Sequence, residues 1–152
     1  EGSKEVMSVT VTKNFDLGKI NLDVHKELNL VGGIIKKDHY QRLESGQGIN
    51  GKMQSLAPST IKRKGHSKIL VDSGKMRNLI VDKATKTNQQ VVIHPGTSNY
   101  PKSDVSMDEV GEFHQKGTKH LPKREWFGIT DKVEKDAFRL IEMRIEREIQ
   151  NA

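Results

Sequence analysis

Pro58 to Ile80, PSTIKRKGHSKILVDSGKMRNLI, is the stretch around which the chain is organised. Lys62-Arg63-Lys64-Gly65-His66-Ser67-Lys68 reads as a basic, glycine-broken loop, followed by the apolar run Ile69-Leu70-Val71. Asp72-Ser73-Gly74 then offers side-chain oxygens to the free N–H groups of a helix start. Met76, Leu79 and Ile80 lie three and four positions apart, a spacing that turns them to one side of a short helix. From Leu79 onward the pattern becomes that of a strand. A loop, a buried run, a capped turn and a strand within so few residues describe a structural hub. No catalytic set accompanies them.

On the N-terminal side of the hub, Val6 to Thr12 (VMSVTVT) reads as a strand at a sheet edge, with Val9 and Val11 on one side and Ser8, Thr10 and Thr12 on the other. Asn14 to Gly18 turns the chain. From Lys19 to Leu43, the positions Ile20, Val24, Leu28, Val31, Ile35 and Leu43 advance by threes and fours apart from the last gap, which predicts a long amphipathic helix. Gly32-Gly33 inside it costs roughly 1 kcal/mol per glycine against alanine, so a kink or a closely packed neighbour is expected there. Ser45 to Pro58 reads as a glycine-rich loop.

On the C-terminal side, Leu79 to Thr85 and Gln90 to His94 (QVVIH) form a hairpin across Thr87-Asn88-Gln89. Pro95 to Asp108, with Pro95 and Pro101, reads as an exposed loop. Asp108 to Lys116 reads as a short helix with Val110, Phe113 and His114 inward, ended by Gly117. Lys119 to Arg124 is basic and extended around Pro122 and leads to Trp126-Phe127. Thr130 or Asp131 caps a last helix to about Ile149, Asp131 and Glu134 having capping-box spacing, with Val133, Ala137, Leu140, Ile141, Ile145 and Ile149 as its stripe. The sum is one α+β domain over residues 1–152, its core about 6–150: an antiparallel sheet packed with a long N-terminal and a C-terminal helix, joined by long flexible loops.

The totals agree with one modest core. The chain has 152 residues, 33% hydrophobic and 30% charged, with a net charge of +6, which suits a single domain under a heavily solvated surface or a subunit stabilised by neighbours. The charge favours polyanions weakly, because acids and bases alternate along most of the chain. With no cysteine, neither a disulfide framework nor a thiolate metal site is possible. No apolar run approaches the ~18 residues of a membrane span, and no signal-type leader is visible; Glu1-Gly2-Ser3 is set aside as a processed end.

The motifs are mostly structural in character. Gly46-Gln47-Gly48-Ile49-Asn50-Gly51-Lys52 satisfies both GxGxxG and GxxxxGK. A phosphate loop also needs a buried strand entering, a helix leaving, and Ser or Thr after the lysine. Here a polar helical segment enters, Met53 follows Lys52, and Pro58 interrupts the exit, so no nucleotide site is expected. His66, His94, His114 and His120 show no metal-ligand spacing; a hydrolase or nuclease would have to use His114 with Glu112. The basic runs at 62–68 and 116–124 suit phosphate contact, but only Trp126 and Phe127 offer stacking nearby. A solvated or protein-binding face is the plainer reading, with Trp126-Phe127 as a core anchor.

Several segments, in order, resemble one family. They are Gly48 to Leu56 with Ser59-Thr60 and Lys64, Ile69 to Arg77, Val91 to His94, Phe113-His114-Gln115-Lys116-Gly117, and Leu121 to Ile129 (LPKREWFGI). Together they resemble the virion morphogenesis or tail-completion proteins of tailed phages, the Mu-like prophage neck and tail group. The resemblance covers residues 20 to 150. Its departures are Val110-Gly111, where the family often has an aromatic-Ala pair, and Met53, near a usual tryptophan. It implies a non-enzymatic α+β subunit, without cofactor or metal, that joins or terminates the tail as a ring, a hexamer for instance, around the DNA channel. The implied partners are further copies of the chain, other neck or tail proteins and non-specific DNA, with no membrane. The implied location is the virion, after assembly in the host cytoplasm. The interface or scaffold residues expected on this reading are Ser73, Gly74, Met76, His114, Pro122, Arg124, Trp126 and Phe127, with Lys62, Arg63 and Lys64 as a mobile basic loop. The rivals are a basic nucleic-acid-binding module and a histidine-dependent nuclease.

Overall fold

The computed structural model describes residues 7–13 and 22–151. The expected turn at Asn14–Gly18, the first positions of the long helix (Lys19 and Ile20), Val6 and Glu1–Ser3 lie outside them. The order is β1 (Val9–Thr12), α1 (His25–Glu44), β2 (Gln47–Gly48), β3 (Gly51–Lys52), α2 (Pro58–Lys64), β4 (Ile80–Asp82), β5 (Gln90–His94), α3 (Met107–Lys116) and α4 (Asp131–Gln150). The fold is α+β: β1, β5 and β4 form an antiparallel sheet in that order, and β2–β3 is a separate two-stranded ladder.

Central β5 fixes the sheet. Val9 faces Ile93 and Val11 faces Val91 on one side, while Val81 faces Ile93 on the other. Val91 and Ile93 are fully buried, and their neighbours along the strand are only half-buried. This is the alternation of a strand with one covered face. The cover is α1, which turns Leu28, Val31, Gly32, Ile35, His39, Arg42 and Leu43 inward. Gly32 explains itself here: a Cβ at that position would lie 2.9 Å from Val91 Cγ2 and 3.1 Å from Val81 Cγ1, whereas one on Gly33 would meet nothing within 4 Å.

Helix α1 begins at His25, later than the apolar spacing suggested. Asp23 accepts the His25 N–H at 3.1 Å and the Gln89 side-chain N–H at 2.9 Å, while Val24 N–H donates to Gln89 Oε1 at 2.9 Å. These bonds tie residues 23 and 24 to the β4–β5 loop. Strand β4 also ends early, at Asp82, short of Thr85. Asn29 of α1 takes over the backbone of Ala84, accepting its N–H at 2.7 Å and donating to its carbonyl at 3.0 Å, and Thr85 and Asn88 close the turn. The hairpin itself falls where the sequence placed it.

The hub contains no helix after its apolar run. Gly74 accepts from Asn78 N–H at 3.2 Å and from Asn78 Nδ2 at 2.9 Å, so a single turn closes and stops. Ser73 Oγ accepts only from Lys75 N–H, at 3.4 Å. Met76 and Leu79 are buried, but Ile80 has already entered β4 and is 46% exposed. The glycine-rich stretch before the hub is partly ordered as well, carrying β2 and β3. Lys62, Arg63 and Lys64 are the last turn of α2 rather than a mobile loop. Pro58 pre-sets the first turn, and Gly65 at φ 77° ends it in the left-handed conformation.

The loop before α3 ends at Ser106, and Asp108 lies within the helix, where Oδ1 accepts Met7 N–H at 2.7 Å. The capping box of the chain is Ser106 with Glu109, and Phe113 points outward, 44% exposed. Thr130 caps α4 by accepting from Val133 N–H at 3.3 Å, and Asp131 is its first helical residue. Val133 is buried and Ala137, Leu140, Ile141 and Ile145 pack against the core. Ile149, at 62% exposure, stands off it together with Phe138 and Met143.

Candidate functional site

Three separate segments meet at Glu125-Trp126-Phe127. Trp126 is fully buried and its indole N–H donates to Gly111 O at 2.9 Å. Gly111 makes the room: a Cβ there would lie 2.7 Å from Trp126 Cζ2. From the same helix, the Gln115 side-chain oxygen accepts the N–H groups of both Trp126 and Phe127 at 3.1 Å, and its amide nitrogen donates to Phe127 O at 3.2 Å. From α1, Arg42 Nη1 donates to Trp126 O at 3.0 Å, and the His39 ring lies 5.3 Å from that of Trp126. From the β2–β3 ladder, Ile49 N–H donates to Glu125 O at 2.8 Å. Gly48 is pressed against the same Glu125 carbonyl, which leaves no space for a side chain.

His39 is a core histidine. Nε2 lies 2.8 Å from Met76 O, and burial lowers its pKa to about 4. The neutral ring therefore donates from Nε2, tying α1 to the hub, while Nδ1 has no partner among the described residues.

Above this node opens a cleft of about 470 Å³ between α2, the hub, α3 and the segment approaching Arg124. Arg63 and Lys64 of α2, Leu70, Asp72 and Met76 of the hub, Tyr100, His114 and Arg124 all line it. Arg124 is only 5% exposed, yet its partners are backbone carbonyls: Nε donates to Gln54 O at 2.9 Å and Nη2 to Ser55 O at 3.1 Å. Its own N–H donates to His114 O at 2.7 Å. Burial lowers the guanidinium pKa. His114 is held down to about 4 by burial first and then by the charges of Arg124 and Lys64. Asp72 is the one carboxylate lining the cleft; it accepts from the Tyr100 hydroxyl and lies 3.8 Å from Arg63. Leu70, in the wall, has φ 57°, a conformation costing a non-glycine residue roughly 1–2 kcal/mol.

Of the residues marked from sequence, Met76, His114, Pro122, Arg124, Arg63 and Lys64 come together in this cleft. Trp126 and Phe127 form the core node beneath it. Ser73, Gly74 and Lys62 lie outside the lining. His114 and Glu112 do not converge: Glu112 pairs with Lys116 and lines a different groove, beside Met7 and Phe127. The GxxxxGK string is a miniature β-ladder, with neither an entering buried strand nor a helix directly after Lys52. Sequence reasoning passed over His39, Arg42 and Gln115. His39 fills the gap in the apolar series between Ile35 and Leu43, and Gln115 sits inside the FHQKG element, so both positions carried a mark.

Among the described residues no group of three or more His, Asp or Glu side chains is placed to hold a metal ion, and no helix is long and apolar enough to cross a membrane. In comparisons with known protein families, curated proteins and solved structures, nothing matches this chain.

Proposed function

We propose that the chain is a structural subunit of tailed-phage morphogenesis, acting in tail completion or head–tail joining as a ring around the DNA channel. The observation that carries the reading is the coupling of two of the segments on which the resemblance rests. The FHQKG and LPKREWFG segments resemble those of the phage proteins, and here they form one hydrogen-bonded unit through Gln115, Arg124 and Trp126. Two surface features suit assembly. Phe138, Met143 and Ile149 leave α4 with uncovered apolar side chains, and β1 and β4 are the edges of the three-stranded sheet among the described residues.

The test is the mass of the purified protein by light scattering, with negative-stain imaging alone and with tail tubes. Rings, alone or on the tubes, are the expected result. Monomers in both settings overturn the proposal. The basic alternative has its own observation, the exposed Lys62 and Arg63 at the end of α2. Nanomolar duplex binding that falls steeply with salt would favour it.

A further inference from the structure

We infer that the cleft above Trp126 receives an acidic peptide segment of a neighbouring protein, seating a carboxylate side chain against Arg124 and Lys64. The class of partner rests on the assembly reading, whereas the preference for a carboxylate rests on the cleft itself.

Among the described residues three cations, Arg63, Lys64 and Arg124, line the cleft against one carboxylate, Asp72. That carboxylate is engaged by the Tyr100 hydroxyl and lies 3.8 Å from Arg63, and its charge reaches Lys64 only at longer range, so among the described residues no acid forms an ion pair with Lys64 or Arg124. Arg124 is held rigidly by two backbone carbonyls through Nε and Nη2, and Nη1 has no acceptor among the described residues. Lys64 spends one donor on Lys68 O at 2.8 Å, and an ammonium group carries three. The half-buried His114 adds an Nδ1 atom with no partner among the described residues. A buried, pre-positioned guanidinium without a counter-charge is an expensive arrangement unless something anionic completes it.

The rest of the wall defines the ligand further. Leu56, Leu70, Met76, Val110 and Leu121 are apolar, so the ligand has apolar groups flanking its charge. The volume is that of a few side chains. A duplex presents phosphates on a convex rail with no apolar flanks, and Arg124 lies too deep for it. A peptide of the form apolar-acidic-apolar satisfies both walls.

The experiment titrates the full-length protein, by calorimetry and by NMR of the His114 ring, with a blocked Leu-Asp-Leu peptide. The Leu-Asn-Leu isostere, inorganic phosphate and a 12-base-pair duplex are compared at equal ionic strength. The acidic peptide is expected to shift the His114 resonances and to bind roughly tenfold more tightly than its isostere. Lys64→Gln and Arg124→Lys should abolish that preference, and circular dichroism confirms that each is folded. Equal affinity for the two peptides, a preference unchanged in Lys64→Gln, or stronger binding of phosphate or duplex overturns the inference. Ring imaging is independent of this result: rings with no peptide preference refute the cleft alone, and a peptide preference without rings refutes the assembly reading alone.

Discussion

Gly32 and Gly33 are adjacent on α1, yet alanine should stabilise the chain at Gly33 and fail to do so at Gly32. Both changes remove a helix-interior glycine, which gains about 0.8–1 kcal/mol. At Gly33 nothing lies within 4 Å of the new Cβ, so the gain stands. At Gly32 the methyl would sit 2.9 Å from Val91 Cγ2 and 3.1 Å from Val81 Cγ1. Valine is stiff at χ1 and Val91 is fully buried on the central strand, so neither methyl retreats freely. Overpacking of this kind costs about 1–3 kcal/mol, which makes Gly32→Ala neutral to about 2 kcal/mol destabilising. Because propensity and unfolded-chain entropy cancel between the two variants, their difference isolates the packing cost. At roughly 2–4 °C per kcal/mol for a chain of this size, a 2 kcal/mol gap separates the melting points by about 4–8 °C. Paired thermal melts read it directly. Equal stabilisation by both alanines would mean that α1 does not rest on the sheet through Gly32.

Three further outcomes follow from the core and the cleft. The folded pKa of His39, about 4, lies below its ordinary value of 6.5, so the unfolded chain takes the proton first as pH falls. The stability it contributes is complete above about pH 6.5, drops by about 1.4 kcal/mol per pH unit toward pH 4 and is lost below that. Denaturant titrations at pH 7, 5.5 and 4 should show the decline, to which His114 adds with the same sign, and a flat profile contradicts both assignments. Arg124→Ala forfeits two charge-assisted bonds to Gln54 and Ser55, whose carbonyls can partly rehydrate; a loss of roughly 2–3 kcal/mol is expected, and an unchanged melt would mean that those two bonds contribute nothing to stability. Ser106→Ala breaks the capping box and should cost about 1 kcal/mol, whereas Glu134→Ala, outside any such box, should stay within about 0.5 kcal/mol by the same melts.

The elements with a strong period were readable directly. The alternation in Gln90–His94 and the stripe of α4 depend on local sequence alone, and so did the α+β class. Where the reading missed, a side chain distant in sequence had taken a backbone group. Asn29 claimed Ala84 and shortened β4, and Gln89 with Asp23 delayed the start of α1. Lys62-Arg63-Lys64 looked like a loop because a glycine followed it, yet the proline that opens α2 and the glycine that closes it bracket a helix of 7 residues. In the cleft, Arg124 was found through its flanking proline and tryptophan. Its carbonyl partners were not, since nothing in a sequence tells which loop will fold over a guanidinium. Asp72 and Tyr100 are 28 positions apart, and no periodicity links them.

Strand order also sets a schedule. The β4–β5 hairpin pairs Asp82 with Val92, while β1 pairs Val11 with Val91, eighty positions later in the chain. Loop closure scales with the logarithm of length, so bringing β1 home costs about 2 kcal/mol more in chain entropy than closing the hairpin. Strand β1 is therefore made well before its partner, and reaching that partner costs it more chain entropy than the hairpin costs β4. At roughly 5–20 residues per second, translation leaves β1 without its partner for about 4–16 s. During that interval the valines of β1 face solvent beside a nascent α1 whose own apolar side has no sheet to rest on. The chain is most vulnerable to mispairing before its central strand exists, and a strand at the edge is the one a second nascent copy can borrow.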